Sequence, residues 1–223
     1  MRFFLFVCMI FSLSLVGCGT NLKDIFYENI SEIQRDVFVG KFNQISATLL
    51  MGDREKEYLK NGYSTENIDF SVLMIEGMET TKNIEYSYRL FVDDMVYEGV
   101  FKFNPFGGLI VDMGNIVAGD IMVVTVVGDE TIDIVLRSIT DGLSTSCDDA
   151  INIVMDNFGG RIRKLKKGRT FVAESYIKLM GMLEINSEDL CWCVTIITRA
   201  GERFSYVVSA RTGDVLSVQN NMA

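Results

Sequence analysis

Three cysteines in the second half of the chain, Cys147, Cys191 and Cys193, are the side chains best suited to redox or metal chemistry. Cys191 and Cys193 lie two residues apart in a strand-like run, so their side chains point to the same face and cannot easily bond to each other. A disulfide from Cys147 to either of them, buried free thiols, and a metal or redox role are the alternatives. The spacing matches no common zinc pattern, and no metal site is predicted.

The residue between the last two cysteines argues against the disulfide. Trp192 shares the more apolar face of this run with Leu190, Val194 and Ile196. If that face meets the helix predicted below, Cys147 lies on the opposite side of the strand from Cys191 and Cys193, because successive side chains of a strand alternate between its faces.

The chain contains no histidine. This composition excludes the commonest general base, every catalytic triad that contains histidine, and every His-ligated zinc site. An enzyme would have to use carboxylates, cysteine, a Ser–Lys pair or a bound cofactor, and the sequence contains no recognisable constellation of that kind. We therefore predict a non-catalytic protein without a cofactor. A carboxylate-dependent envelope hydrolase and metal or redox handling through the three cysteines are the alternatives.

The beginning of the chain has the layout of a secretory signal. Arg2 precedes an apolar run over residues 3–16, which is too short to span a bilayer comfortably. The run ends in Leu15-Val16-Gly17-Cys18, which resembles a bacterial lipobox. The resemblance implies cleavage of residues 1–17, lipidation of Cys18, and a mature protein that is extracytoplasmic and anchored to the membrane by its lipid. An ordinary cleaved signal with a chance cysteine is the alternative.

The charge balance bears on partners. A net charge of −9 argues against nucleic acid, whose phosphates need Lys and Arg. One segment is basic and contains no acid, and its cations are a candidate contact for anionic lipid or cell-wall phosphate polymers. The other interpretation is a solvated edge strand whose lysines prevent aggregation. The six cations are Arg161, Arg163, Lys164, Lys166, Lys167 and Arg169. A protein or cell-wall partner is expected, and the sequence does not identify it.

The first half of the mature chain is predicted to be β structure. Residues 18–35 indicate a tether and a short helix, either a stalk or a helix lying against the first domain. Residues 36–139 contain about seven strand-like runs, and residues 84–90 alternate apolar and polar side chains. Tight-turn signals separate several of the runs. This pattern predicts an antiparallel β-sandwich of immunoglobulin-like architecture, with a closed barrel as the alternative.

Residues 140–223 predict an α+β unit. Ser146 and Asp149 have the spacing of a capping box, and the apolar stripe that follows predicts a helix over 147–158, ended by Gly159-Gly160. Strand-like runs then follow at 170–184, 190–198, 203–209 and 214–218. The expected architecture is one helix packed on an antiparallel sheet.

The order of motifs in this second unit resembles a PepSY domain. The matching features are Ser146-x-x-Asp149-Ala150-Ile151, Gly159-Gly160, Trp192-x-Val194, Gly201, Tyr206-x-Val208 and the ending Ala210-x-Thr212-Gly213-Asp214-Val215-Leu216. The resemblance implies an accessory, propeptide or inhibitory module without catalytic residues. It also predicts that Trp192 packs between the helix and the sheet.

Overall fold

The computed structural model of the chain describes residues 21–56, 66–78, 84–168, 170–181 and 190–221. Cys18 and Arg169 lie outside these ranges. The described part is mostly β, with helices α1 (Leu22–Tyr27) and α2 (Cys147–Ile162) and a 3₁₀ turn over Arg163–Leu165. The strands are β1 (Glu32–Phe42), β2 (Ile45–Glu55), β3 (Asn67–Glu76), β4 (Ser87–Val92), β5 (Met95–Val100), β6 (Lys102–Phe103), β7 (Leu109–Asp112), β8 (Met122–Val127), β9 (Thr131–Ser138), β10 (Lys166–Lys167), β11 (Thr170–Phe171), β12 (Ala173–Gly181), β13 (Leu190–Thr198), β14 (Arg203–Ser209) and β15 (Val215–Asn221).

Strands β1–β9 form a nearly closed antiparallel sheet. On one side of β1 the order is β2, β3, β7 and β6, and on the other side it is β9, β8, β4 and β5. The two ends of this order meet, because β5 and β6 are separated in the chain by Phe101 alone. The Phe101 N–H donates to the Tyr86 carbonyl at 2.8 Å. We call this part of the molecule the first region.

The first region encloses an apolar core that is formed by alternate residues of its strands. In β8, Met122, Val124 and Val126 are buried while the residues between them are partly exposed. Leu49 of β2 and Leu90 of β4 are completely buried in the same cluster. Each such side chain contributes about 1.5–3 kcal/mol on leaving water.

Strands β12–β15 form the second region, an antiparallel sheet with α2 packed on one face. Trp192 is 1% exposed, lies in the same buried cluster as Val154 of α2, and donates from Nε1 to the Thr145 carbonyl at 2.8 Å. The prediction that Trp192 belongs to the helix–sheet core is therefore confirmed. The hydrogen bond satisfies the one polar atom of the ring, which allows complete burial.

Helix α2 begins as predicted and ends later than predicted. Ser146 and Asp149 form both hydrogen bonds of a capping box. The predicted end at Gly159-Gly160 is wrong, since both glycines lie inside the helix, which continues to Ile162. Ile162 is completely buried, so its burial offsets the roughly 1 kcal/mol that each helical glycine costs relative to alanine.

Helix α1 packs on the second region, and the expectation that it forms a stalk or lies against the first domain is wrong. Ile25 and Phe26 are buried in the same cluster as Trp192. The rings of Phe26 and Phe171 meet edge to face with their centroids 5.4 Å apart. The apolar face of α1 is therefore part of a core that the C-terminal strands complete.

Strand β1 belongs to both regions. Its beginning pairs in parallel with β12, with Ile33 opposite Ile177, and the rest pairs with β2 and β9. Arg35 of β1 forms ion pairs with Asp53 of β2 and Asp148 of α2, with N–O distances of 2.6 and 3.6 Å. The two regions thus share a continuous backbone ladder.

Candidate functional site

A depression in the second region lies on the sheet face opposite α2. Because Trp192, Val194 and Ile196 of β13 face the helix, the alternate residues face the other way. They line a groove of about 290 Å³, together with side chains of β12 and β14. We call it the open-face groove, and its lining residues are Tyr176, Lys178, Met180, Cys193, Thr195, Ile197 and Arg203.

Strand register brings these side chains together from distant parts of the sequence. Tyr176 lies opposite Thr195, and Lys178 lies opposite Cys193. Ile197 lies opposite Arg203 on the next strand. The hydroxyls of Thr195 and Ser205 are 3.2 Å apart and form a polar patch in the floor. Since every lining residue sits on a strand, the groove has a fixed shape.

Two polar side chains of the groove, Tyr176 and Lys178, have fixed partners. The Tyr176 hydroxyl donates to Glu174 Oε2 at 2.8 Å. Burial, with help from this carboxylate, raises the pKa of Tyr176 to about 12, so the ring keeps its proton at neutral pH. Lys178 Nζ lies 2.9 Å from Glu32 Oε1 and 5.8 Å from the centre of the Tyr176 ring. Tyr176 and Lys178 are therefore held in position to bind and orient a ligand.

Arg203 provides the unpaired cation of the groove. It is exposed, and no hydrogen bond or ion pair joins its guanidinium to another residue that the structure describes. It lies beside Ile197, at the end of the groove away from Met180. The groove therefore combines an apolar floor with a cation able to accept a carboxylate or phosphate.

The cysteines do not form the pairing that the sequence left open. All three are free. Cys147 is buried on the helix side, whereas Cys193 faces the open-face groove with its Sγ 3.5 Å from Thr195 Oγ1. Burial raises the pKa of Cys147 to about 11, with a further contribution from Asp148, so this thiol is not activated. Among the described residues, no group of three potential metal ligands is found.

Only Lys166 and Lys167 of the basic segment lie in an edge strand, so the interpretation of the whole segment as a solvated edge strand holds only in part. Arg161 ends α2, Arg163 and Lys164 lie in the 3₁₀ turn, and Lys166 and Lys167 form β10, a two-residue strand paired with β11. The segment differs from the expected strand because α2 extends to Ile162 and includes its first residues.

One cation of the basic segment is fixed against the sheet. The Arg161 guanidinium lies 4.6 Å from the centre of the Phe204 ring, and its Nη1 donates to Asn220 Oδ1 at 2.9 Å. Arg161 therefore joins the end of α2 to the last strand.

Sequence reasoning missed most of the groove. It identified Cys193 as a candidate and gave no role to Tyr176, Lys178, Thr195, Ile197 or Arg203. Their alternation along strand-like runs was a usable signal, because a strand with its helix-facing side already assigned leaves the other side for a second surface.

A second depression, of about 330 Å³, lies where the sheet of the first region closes. Tyr86, Phe101 and Phe103 dominate its lining, and Glu85 is its charged member. It offers no cation, and its apolar walls continue the core of the first region. We therefore assign the candidate site to the open-face groove.

No protein-family model, curated protein or solved structure matches the chain. Within the described ranges, neither helix has the length and apolar character needed to cross a bilayer.

Proposed function

We propose that the chain is a non-catalytic lipoprotein of the bacterial cell envelope that binds or modulates an extracytoplasmic partner through the open-face groove. The groove carries this proposal, because it presents a largely apolar floor beside the guanidinium of Arg203, which has no hydrogen-bond or ion-pair partner among the described residues. The partner is one that offers an apolar segment with an acidic group, since that chemistry complements both features.

The proposed anchor is a lipid on Cys18, supported by the apolar run that ends in Leu15-Val16-Gly17-Cys18. We expect Cys18→Ser to block lipid attachment and to move the protein from the membrane to soluble or unprocessed fractions. Detergent partitioning of fractionated cells measures this. Unchanged partitioning of the variant would contradict the anchor.

The finer description of the two regions is part of the same proposal. Alternating strands around one core fit the proposed immunoglobulin-like sandwich for residues 36–139, while the nearly closed strand order favours the closed barrel that was the alternative. A capped helix on an antiparallel sheet, in the order helix then strands, supports a PepSY-like unit for residues 140–223. A module of this kind would act by occupying or shielding its partner.

The groove chemistry favours binding over the alternatives. Glu32 is paired with Lys178, and Glu174 accepts the Tyr176 hydroxyl, so these carboxylates already have partners. Cys193 stands on the opposite face of its strand from the core that contains Cys147. The contacts within the groove therefore support neither the hydrolase nor the metal or redox alternative.

Photo-crosslinking in intact bacteria that produce the full chain tests the binding site. A photoreactive amino acid at Ile197 should give a discrete adduct, identified by mass spectrometry, because Ile197 lines the groove beside Arg203. Arg203→Glu should abolish the adduct by reversing the charge, and Arg203→Lys should retain it.

The matched control places the same photoreactive residue at Val135, an exposed position on β9 of the first region. If positions 135 and 197 give the same adducts, or if Arg203→Glu has no effect on the adduct at 197, the groove is not the binding site.

A further inference from the structure

The depression where the sheet of the first region closes has aromatic walls and one carboxylate. Tyr86, Phe101 and Phe103 form these walls, and Glu85 is the charged residue of the lining. The volume is about 330 Å³. Sites for small ligands have volumes of roughly 300–1,000 Å³, so the depression is large enough for a small molecule. We call it the aromatic depression.

The rings of the aromatic depression are held in place by their neighbours. Tyr86 is buried, and a β-carbon added at Gly128 would lie 2.5 Å from its ring, so the backbone after β8 fits closely against it. Phe101 is buried against Tyr88, with the ring centroids 5.1 Å apart. The ring of Phe103 stands at 86° to that of Tyr86, with centroids 6.5 Å apart. Two aromatic walls therefore meet at a right angle before any ligand binds.

The carboxylate of the aromatic depression is available to a ligand. Glu85 is exposed, and no hydrogen bond or ion pair joins its carboxylate to another residue that the structure describes. Lys102 lies between Phe101 and Phe103 in the sequence and does not line the depression, because successive side chains of a strand point to opposite faces. The described lining therefore contains a carboxylate and neither lysine nor arginine.

The surroundings of the aromatic depression are also acidic. The turn that begins at Gly128 lies against Tyr86, and the exposed residues Asp129 and Glu130 follow in that turn. The whole chain has a net charge of −9. A surface with one sign of charge raises the local concentration of ions of the opposite sign. Both the lining and its surroundings therefore favour a cation.

We propose that the aromatic depression binds a small organic cation that carries an alkylated ammonium group. Aromatic ring faces attract a cation that lies within about 6 Å of the ring centroid. The alkyl groups of the ligand pack on the apolar walls, and Glu85 supplies the opposite charge. A metal ion such as Ca²⁺ fits poorly, because it takes six or more oxygen ligands and this lining offers one carboxylate.

Saturation-transfer NMR on the full chain in a non-ionic detergent, with choline as the probe, tests this site. The matched control ligand is the neutral alcohol in which carbon replaces the nitrogen of choline, because it has the same shape without the charge. Choline should bind about tenfold more tightly than this alcohol, since only the cation is attracted by the rings and by Glu85.

Two variants with matched controls assign the binding to the aromatic depression. Phe103→Leu keeps an apolar side chain and removes the ring, so it should weaken choline binding by about threefold or more. Phe106→Leu makes the same change at a phenylalanine that is 98% exposed and does not line the depression, and it should have no effect. Glu85→Gln should weaken binding by about threefold. Glu28→Gln removes the same charge at an exposed position after α1 and should have no effect.

All four substitutions replace exposed side chains, so the melting temperature of each variant should stay close to that of wild type. Equal affinity for choline and the neutral alcohol would overturn the proposal, as would a wild-type chain that gives no saturation transfer to choline. Folded Phe103→Leu and Glu85→Gln variants that bind choline as well as wild type would also overturn it, because the ligand would then lie elsewhere on the protein.

Discussion

Both regions are built from antiparallel strands, but they differ in which faces and edges of the sheet are covered. In the first region the sheet curls until β5 and β6 nearly join its ends, so its interior is filled and its edges are short. In the second region α2 covers one face and leaves the open-face groove on the other, and β15 remains as an uncharged edge.

This difference shows which region leaves a sheet surface uncovered. In a sheet that closes on itself, the inward side chains form a core and most backbone groups are hydrogen-bonded. A sheet covered on one face keeps a second, rigid face and an edge that can be paired. In this comparison the first region has little exposed sheet surface, and the second region carries the groove through which we propose that the chain binds its partner.

The largest expected effect separates the stabilities of the two regions. Trp192→Ala should destabilise the second region by about 3–5 kcal/mol, because it removes a completely buried ring from the helix–sheet core. Hydrogen exchange read by mass spectrometry should show protection lost from β12–β15 and retained in β8 and β9. Loss of protection in both regions at once would show that they unfold as one unit.

The next test asks to which region α1 belongs. Phe26→Ala should cost about 3 kcal/mol and act on the second region, because the completely buried Phe26 ring contacts Phe171. The same exchange experiment measures it. Phe91→Ala, at a phenylalanine that is 37% exposed on β4, is the control and should cost far less. A Phe26→Ala variant that loosens the first region instead would contradict the assignment.

A smaller effect concerns the start of α2. Ser146→Ala should destabilise the second region by about 1 kcal/mol, because it removes the side chain that caps the helix. The hydrogen bonds from Ser146 lower the pKa of Asp149. The stabilising effect of this carboxylate is therefore present at neutral pH and lost as the pH falls through the lowered pKa.

The urea concentration at the midpoint of unfolding, measured at neutral and at acidic pH, reports how much the cap stabilises the protein. The difference between wild type and Ser146→Ala should shrink on acidification. Thr131→Ala, at an exposed position beginning β9, is the control. If the difference in midpoint between wild type and Ser146→Ala stays constant with pH, the ionised carboxylate of Asp149 does not contribute to the cap.

The smallest expected effect lies on the strand that both regions share. Burial, with a contribution from Asp141, raises the pKa of Asp36 in β1. An acid whose pKa is raised on folding loses stability as the pH rises through that pKa. Asp36→Asn should therefore raise the melting temperature slightly at neutral pH and leave it unchanged well below the pKa of the acid. A variant that melts lower than wild type at neutral pH would contradict this sign.

Local patterns predicted much of the fold. Alternation located most strands, and the capping box located the start of α2, because both signals depend on residues close in sequence. The position of α1 could not be predicted, since its apolar face fits either core and the choice depends on the partnership of β1 with β12. The groove depends on the register of three strands, which no local pattern contains.

The shared strand β1 also sets the order in which the molecule can fold. Ile33 pairs with Ile177, and Ile25 and Phe26 pack against residues that follow them by more than a hundred positions. The first described segment to be synthesised must therefore wait for the last strands before its apolar face is covered. Contacts between such distant residues slow folding, because the loop entropy is lost before the contact forms. The first region can close early, and the second region is complete only when α1 and the beginning of β1 meet the C-terminal strands.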